Sequence, residues 1–501
     1  MRHRPGLALA LAGLLGSAPT LAASDGPAST PDAAVFQQLL ERMERLEARN
    51  AQLEREVREL RQEREAVDKS LASTRLSSNE PELTTRLKAV EQDVVALKHP
   101  AKLAEKLDGI AVDAALATVW QRASGLPHGA DHGDHFNYRA DLSVEVPLDA
   151  LGNIEHKLFA HVRAGQGQGL NETFGYLGHF NVPNATAFAV SGADPNDSVT
   201  LLGQAWYQAA IPLPLGGFRD RSRQTLELTF GKMDIFGFFD QNEAASDEGS
   251  QFINGLFVHN PLLDVGGEVG VDANGFQPGL VASYVNENNG SEPWRLSFGV
   301  FGAGDTASNY QDTADSPLVI AQFDKTFKFF DGRTGNYRAY AWTRRDVPRF
   351  DDEVTSSRHT GFGLSVDQQV GNGLILFGRY GQLLRGKLPF DRAITLGTQI
   401  NGAYWGRAAD AAGIATSWLR ASGSYRRAGG EAYYSAASVE AGTADVTFRP
   451  SGAERVTELY YRYQLTPQFS LSPDLQWIQR GGANADADTV TVFGLRANIT
   501  Y

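Results

Sequence analysis

In the stretch NYRAYAWTRR, Arg338, Tyr340, Trp342 and Arg344 fall at every second position. On an extended chain that spacing puts guanidinium groups and aromatic rings on one face. The combination recurs. Arg379 sits in LILFGRYGQ, Glu458, Tyr460 and Arg462 alternate in VTELYYRYQL, and Asp474 alternates with Gln476 in FSLSPDLQWIQR. Carboxylates and guanidiniums on facing walls would set up a transverse field that orients polar solutes, and rings beside them offer apolar faces to slide along. The plainer reading of any one of these residues is an ion pair that stiffens a wall. The acidic run DQNEAASDEGSQFIN, residues 240–254, adds Asp240, Asn242, Glu243, Asp247 and Glu248. It either folds inward as a constriction or lies in external solvent, and the spacing leaves both open. As a pore lining it would disfavour anions.

Other chemistries have weaker support. HGADHGDH brings together His128, His132, His135, Asp131 and Asp134, but the spacing fits no structural zinc pattern, so a polar turn is expected and no metal or cofactor. No Ser–His or paired-carboxylate spacing among the ten histidines and their neighbours recommends a hydrolase, so no enzyme is expected. The net charge of −13 argues against nucleic-acid binding. With no cysteine, stability must come from hydrogen bonding and packing.

The elements that would position these residues are strands. In FNYRADLSVEVPL, Tyr138, Ala140, Leu142, Val144 and Val146 share one parity, and Asn137, Arg139, Asp141, Ser143 and Glu145 share the other. Similar alternation follows from about residue 110 in GIAVDAALATVWQ, HKLFAHVRAG, QTLELTFGK, WRLSFGVFG, NYRAYAWTRR, GFGLSVDQQV, LILFGRYGQ, VTELYYRYQL, FSLSPDLQWIQR and TVFGLRANITY. A sandwich would turn the oily faces inward, whereas a membrane barrel turns them to lipid and the charged faces to an aqueous lumen. The length of the β region and the aromatics at stripe ends (Tyr461, Tyr463, Trp477) favour the barrel. So does FGLRANITY, whose Phe493, Leu495, Ala497, Ile499 and Tyr501 form a last apolar stripe. Mean hydropathy is only −0.30. A spanning strand averages out near neutral because only every second residue meets lipid. Closure is required because lipid cannot hydrogen-bond a free edge.

The N-terminal part reads differently. Arg2, His3 and Arg4 precede LALALAGLLGSAPTLA, a signal peptide over residues 1–23 with cleavage near Ala22 or Ala23. Residues 24–35 form a leader. Phe36, Met43, Asn50, Val57, Arg64 and Leu71 then fit a positions, and Leu39, Leu46, Leu53, Leu60 and Val67 fit d positions. After Pro81 a second helical stripe, Leu83, Leu87, Val90, Val94 and Leu97, runs toward Pro100. Residues 36–100 are therefore expected to be a coiled-coil stalk that joins copies of the chain, or a spacer, with the barrel domain over 101–501. A stalk on the periplasmic side could also touch peptidoglycan and tether the envelope.

Four stretches resemble the OprB-type carbohydrate-selective porins of Gram-negative bacteria. They are FGKMDIFGFFDQNEAASDEGSQFINGLFVHNP (230–261), TGFGLSVDQQVGNGLILFGRYGQ (360–382), YWGRAADAAGIATSW (404–418) and ERVTELYYRYQLTPQFSLSPDLQWIQRGG (454–482). The resemblance implies an all-β, transmembrane antiparallel barrel of about 16 strands in the outer membrane, often a trimer, that passes sugars by diffusion. The plainer members lack the N-terminal helices. An anion or organic-acid porin, and a barrel-anchored tether, are the alternatives.

Overall fold

The computed structural model describes residues 109–125, 134–167, 170, 198–214, 222–263, 275–302, 313–348, 356–428 and 449–501. The signal segment, the leader, the coiled coil of 36–100, and His128, His132 and Asp131 lie outside them.

The described chain is a closed barrel of sixteen strands. In order they are β1 (Ala111–Ser124), β2 (Asp134–Leu151), β3 (Ile154–Gln166), β4 (Val199–Pro212), β5 (Gln224–Met233), β6 (Gln277–Asn286), β7 (Trp294–Phe301) and β8 (Leu318–Phe329). There follow β9 (Arg333–Pro348), β10 (Ser356–Gly371), β11 (Leu374–Arg385), β12 (Phe390–Asn401), β13 (Ala411–Ala421), β14 (Ala453–Gln464), β15 (Phe469–Gln479) and β16 (Val490–Thr500). Each strand pairs antiparallel with its sequence neighbours, and β16 returns to β1. At that seam Ala114 and Tyr501 exchange backbone hydrogen bonds of 2.9 and 2.8 Å. No strand edge in the barrel is left open, which is what a hydrocarbon solvent demands.

Burial is inverted relative to a water-soluble protein. In β2, Asn137 and Arg139 are buried, while Leu142 is 44% exposed. Leu280, Phe298, Phe323, Leu396, Ile414, Leu459, Phe493 and Ile499 are likewise exposed on the outer wall. Aromatic pairs such as Tyr284–Trp294 and Trp405–Tyr461, with ring centroids 5.2 and 5.9 Å apart, lie near strand ends, where lipid headgroups suit them.

Connections differ in length. Short turns follow β2, β8, β10 and β14. Between β10 and β11 the turn is Asn372-Gly373, and Gly373 takes φ +67°, a left-handed conformation that glycine adopts without a Cβ clash. Longer segments join other strands, the most consequential running from β5 to β6.

Strands β4, β6, β8, β12 and β13 are not among the stretches picked out by alternation, β13 entering only through the family resemblance. In β6 and β8 the inward faces explain this. In β6 the inward Val281 is buried beside the outward Leu280, and in β8 Leu318 and Ile320 are buried inward. Both parities are then apolar, and the contrast on which the sequence signal depends disappears.

Candidate functional site

Asp234 to Leu263, leaving β5, turns into the barrel. Its start is a short 3-10 turn, Ile235–Gly237, capped by the Asp234 carboxylate, which accepts the Phe236 N–H at 2.9 Å. Further on, Asn254 caps a single helical turn, α1 (Gly255–Val258), through the Leu256 N–H at 3.1 Å. Between and beyond these caps Phe239, Phe252, Phe257, Leu256 and Leu262 are buried in one cluster with inward Phe301, Leu318, Trp342, Phe377 and Tyr460 of the wall. Phe252 stands edge-on to Tyr460 at 4.9 Å. Part of the lumen is thus a protein core.

Polar wall residues lock the segment in place. The Arg379 Nε pairs with an Asp240 oxygen at 3.0 Å, and its other nitrogens donate to the carbonyls of Phe257 and Asp240 at 2.5 and 2.9 Å. Asp240 also accepts from the Tyr340 hydroxyl at 3.0 Å and the Asn260 N–H at 2.7 Å. These bonds hold Asp240 at φ +54°, a conformation uncommon for a residue with a Cβ. Glu458 accepts the Ile253 and Asn254 N–H groups at 2.6 and 3.0 Å, and the Asn254 amide donates to Gln476 at 3.1 Å. Asn242 donates to Ser365 and to the Val366 carbonyl at 3.2 and 3.1 Å. On the opposite side Glu248 binds Arg139 of β2, and Arg496 of β16 donates to the Glu248 carbonyl at 2.7 Å. Burial alone would raise the Glu248 carboxyl, but Arg139, with Arg163, outweighs it and holds the group at about 2. Burial and the neighbouring Asp367 push the Glu243 carboxyl upward.

Two cavities border the segment. One, about 640 Å³, is lined by Arg163, Asp234, Phe236, Glu243, Glu248, His259 and Phe276, among others. The second, about 430 Å³, is walled by Phe238, Glu287, Arg295, Asp324 and Lys325, among others. Both include Gln241, Asn336 and Arg338, which stand between them at a place here called the neck. At the neck Arg338 pairs with Asp367 at 2.6 Å and lies 3.6 Å from Asp324.

The candidate residues therefore separate by position. Arg338, Asp240, Asn242, Glu243 and Glu248 border the first cavity. Tyr340, Arg379 and Glu458 bond to the inturned segment from behind, and Trp342 and Tyr460 pack against it. Asp474 accepts from Gln476 at 2.8 Å, Arg344 is buried, and Arg462 is partly buried on the same face as Glu458. Asp247 accepts from Gly249 and Ser250 within its own turn. The sequence reading did not single out Arg163, Asp367, Gln241, Phe276 or Phe236 as site residues. Arg163 stands on the charged parity of HKLFAHVRAG and Asp367 in GFGLSVDQQV, so strand parity would have found both.

A sequence model described as "Carbohydrate-selective porin, OprB family" matches residues 131–501. The chain belongs to the OprB family of carbohydrate-selective porins. It is an outer-membrane porin, a channel in construction. The porin is similar to the high-pH structure of Pseudomonas putida OprB, at 20% identity and TM-score 0.61, over 79% of this chain and 96% of that one. A mutant of the Rh. blastica porin aligns at 9% identity and TM-score 0.41, over 78% of this chain and all of that one. The first likeness supports the porin's fold; the second is too distant to add to it. A comparison with curated proteins found no match.

Proposed function

We propose that this porin is a passive route for small polar solutes, carbohydrates above all, and that the segment 234–263 narrows it to the two linked cavities. The observation that carries the reading is the neck, where Arg338, Asn336 and Gln241 present a guanidinium and two amides side by side. Such groups replace part of a sugar's hydration without a full charge mismatch. We assign solute contact to Arg338, Glu243 and Glu248, while Asp240 and Asn242, whose side chains are buried and bonded to the wall, anchor the segment. Tyr340, Trp342, Arg344, Arg379, Glu458, Tyr460, Arg462 and Asp474 take a supporting role behind the segment. No catalytic step belongs to this reading.

The lining argues against the anion-porin alternative. Arg163 and Arg338 are each bonded to an aspartate, Asp141 at 2.7 Å and Asp367 at 2.6 Å, and Asp234 and Glu243 add carboxyl groups without a guanidinium partner of their own in the lining. Swelling of liposomes containing the porin, with neutral sugars of graded size, tests the function. Uptake that falls with solute size is expected, together with a zero-current potential that leans toward cations. Strong anion selectivity without sugar uptake would overturn it.

The heptads support a wider proposal for the N-terminal part. Residues 1–23 direct export, 24–35 are a leader, and 36–100 form a periplasmic coiled coil that assembles copies, as a trimer, together with the barrel of 101–501. Contact with peptidoglycan is a second role for the stalk. Removing residues 24–100 should weaken the oligomer on native gels with sugar flux retained; an unchanged oligomer would refute the assembly role.

A further inference from the structure

On the outer wall, six consecutive strands each carry an arginine near one rim. They are Arg345 of β9, Arg358 of β10, Arg385 of β11, Arg392 of β12, Arg420 of β13 and Arg455 of β14. Because the ring is antiparallel, all six lie at the end of the barrel away from Ala111 and Tyr501. Register fixes their direction. Arg385 pairs with the outward Thr360, Arg392 with Gln382 and Arg420, and Arg455 with the outward Trp418. Arg345 and Arg358 adjoin the inward Arg344 and His359 in sequence, and both are exposed. With strands about 4.8 Å apart, the row is about 24 Å long. Among the described residues only Asp391 pairs with it, 2.7 Å from the Arg420 Nε. The Arg392 Nε donates to Gln382 at 2.9 Å, and the Arg455 guanidinium lies over the Trp418 ring at 5.5 Å. The far side of the barrel differs. On β6 to β8 the outward register partners near that rim are Leu280, Val300 and Val319, which carry no charge. Toward the membrane centre from the row, Ile394, Leu396, Ile414 and Leu459 are exposed on the same strands.

We infer that this row of arginines docks the phosphate-bearing head of an outer-leaflet lipid, whose chains lie on the apolar wall beside it. Guanidinium groups on a lipid-facing wall are costly unless they meet water or an anion. Arg392 and Arg420 are direct cross-strand partners, and like charges placed opposite each other destabilise a sheet. A phosphate between them removes that repulsion. The planar fork of arginine matches phosphate oxygens two at a time, which the point charge of lysine does not. The wall supplies the other half of the site. A lipid meets both the charged row and the apolar strip, whereas free phosphate meets only the row. Asp391 competes for Arg420 and so sets a limit on the affinity. With the N-terminal segment on the periplasmic side, as proposed above, this rim lies in the outer leaflet. The inference does not depend on which solute the channel passes.

The test is native mass spectrometry of the full-length porin in neutral detergent, with lipid A, a phosphorylated glucosamine lipid, added in steps. The wild type should retain lipid A and release phosphatidylcholine. Arg392→Gln combined with Arg420→Gln should weaken retention about fivefold for each guanidinium lost, the worth of one cation at an anionic lipid surface. Asp391→Asn should strengthen retention, because it frees Arg420; a merely structural role for the pair would not give that sign. Arg122→Gln, on β1 opposite Asp134 and off the row, should change nothing. Heat-modified gel mobility reports folding, and if the double variant does not fold, Arg455→Gln and Asp391→Asn decide. A folded double variant that retains lipid A like the wild type overturns the inference. So does displacement of lipid A by an equal concentration of inorganic phosphate, which would make the row a free-anion site. A double variant that loses its oligomer on native gels with lipid retention unchanged would make the row an interface between copies and also overturn it. Retention of phosphatidylglycerol in place of lipid A would overturn the leaflet and the periplasmic placement of the N-terminal segment. Retention of neither would overturn the site and leave that placement untouched.

Discussion

Along β9 to β15 the inward side chains are buried beneath the inturned segment, and along β3 and β4 they are only partly covered, with Phe238 touching Trp206 at its edge. On the first wall Tyr340, Trp342, Phe377 and Tyr460 are each no more than 4% exposed. On the second, Phe159 and Trp206 remain half-exposed, and Arg163 faces the larger cavity. Both walls obey one alternation, apolar outward to lipid. They differ in what fills the inside. Where the segment packs, the inward face is the core of a folded protein and obeys the rules of dry packing and satisfied polar groups. Where it does not, the inward face is a solvated lining. The same residue types then act differently: Arg379 is a structural clamp, Arg338 a cavity wall.

The contrast is most severely tested at Arg379. Arg379→Ala leaves Asp240 buried without its cation, a loss of about 3–5 kcal/mol when one partner of a buried pair is removed. The segment should detach, and single-channel conductance should rise toward that of an unobstructed barrel. Conductance equal to the wild type would mean that the locked wall is not held by this clamp.

A smaller effect is expected from close packing. Gly363 faces Tyr340 across the β9–β10 pair, and a Cβ on Gly363 would come 2.2 Å from the Tyr340 ring. Gly363→Ala should cost about 1–3 kcal/mol, the usual range for overpacking, read as a lower temperature of the heat-induced gel shift. The equivalent small-to-large change on the open wall should cost less.

The smallest effect is that of acid on the clamp between Glu248 and Arg139. The folded carboxyl, at about 2, lies below its ordinary 4.5. A depressed carboxyl contributes stability that is fully present above the ordinary value and is lost as pH falls through the folded one. Current noise from the segment should therefore stay flat down to about 4.5 and grow between there and about 2. Noise that rises already at neutral pH would place the weak point elsewhere.

Much of the wall was legible in the residues. The β2 stripe of Asn137, Arg139 and Asp141 against Leu142 and Val144 announces an inverted strand, because the two solvents lie on opposite sides of one sheet. Alternation missed β6 and β8 because the segment makes the lumen dry there, as at Val281, Leu318 and Ile320. The inward parity of Arg338, Arg379 and Glu458 was also readable. Their division into cavity wall and clamp was not, since it depends on a loop from β5 that crosses to the far side.

Alternation with period two is a local property, so the order of residues alone was enough to specify a barrel wall, its lipid face and its charged face. The path of residues 234–263 is not local. The acidic run reads equally well in bulk solvent, and its inward course follows from Arg379, Glu458, Ser365 and Arg139, brought by closure of the sheet to surround Asp240, Ile253, Asn242 and Glu248. Contacts between residues more than a hundred positions apart exist only once the ring of strands is complete, and the width of the channel is set by them.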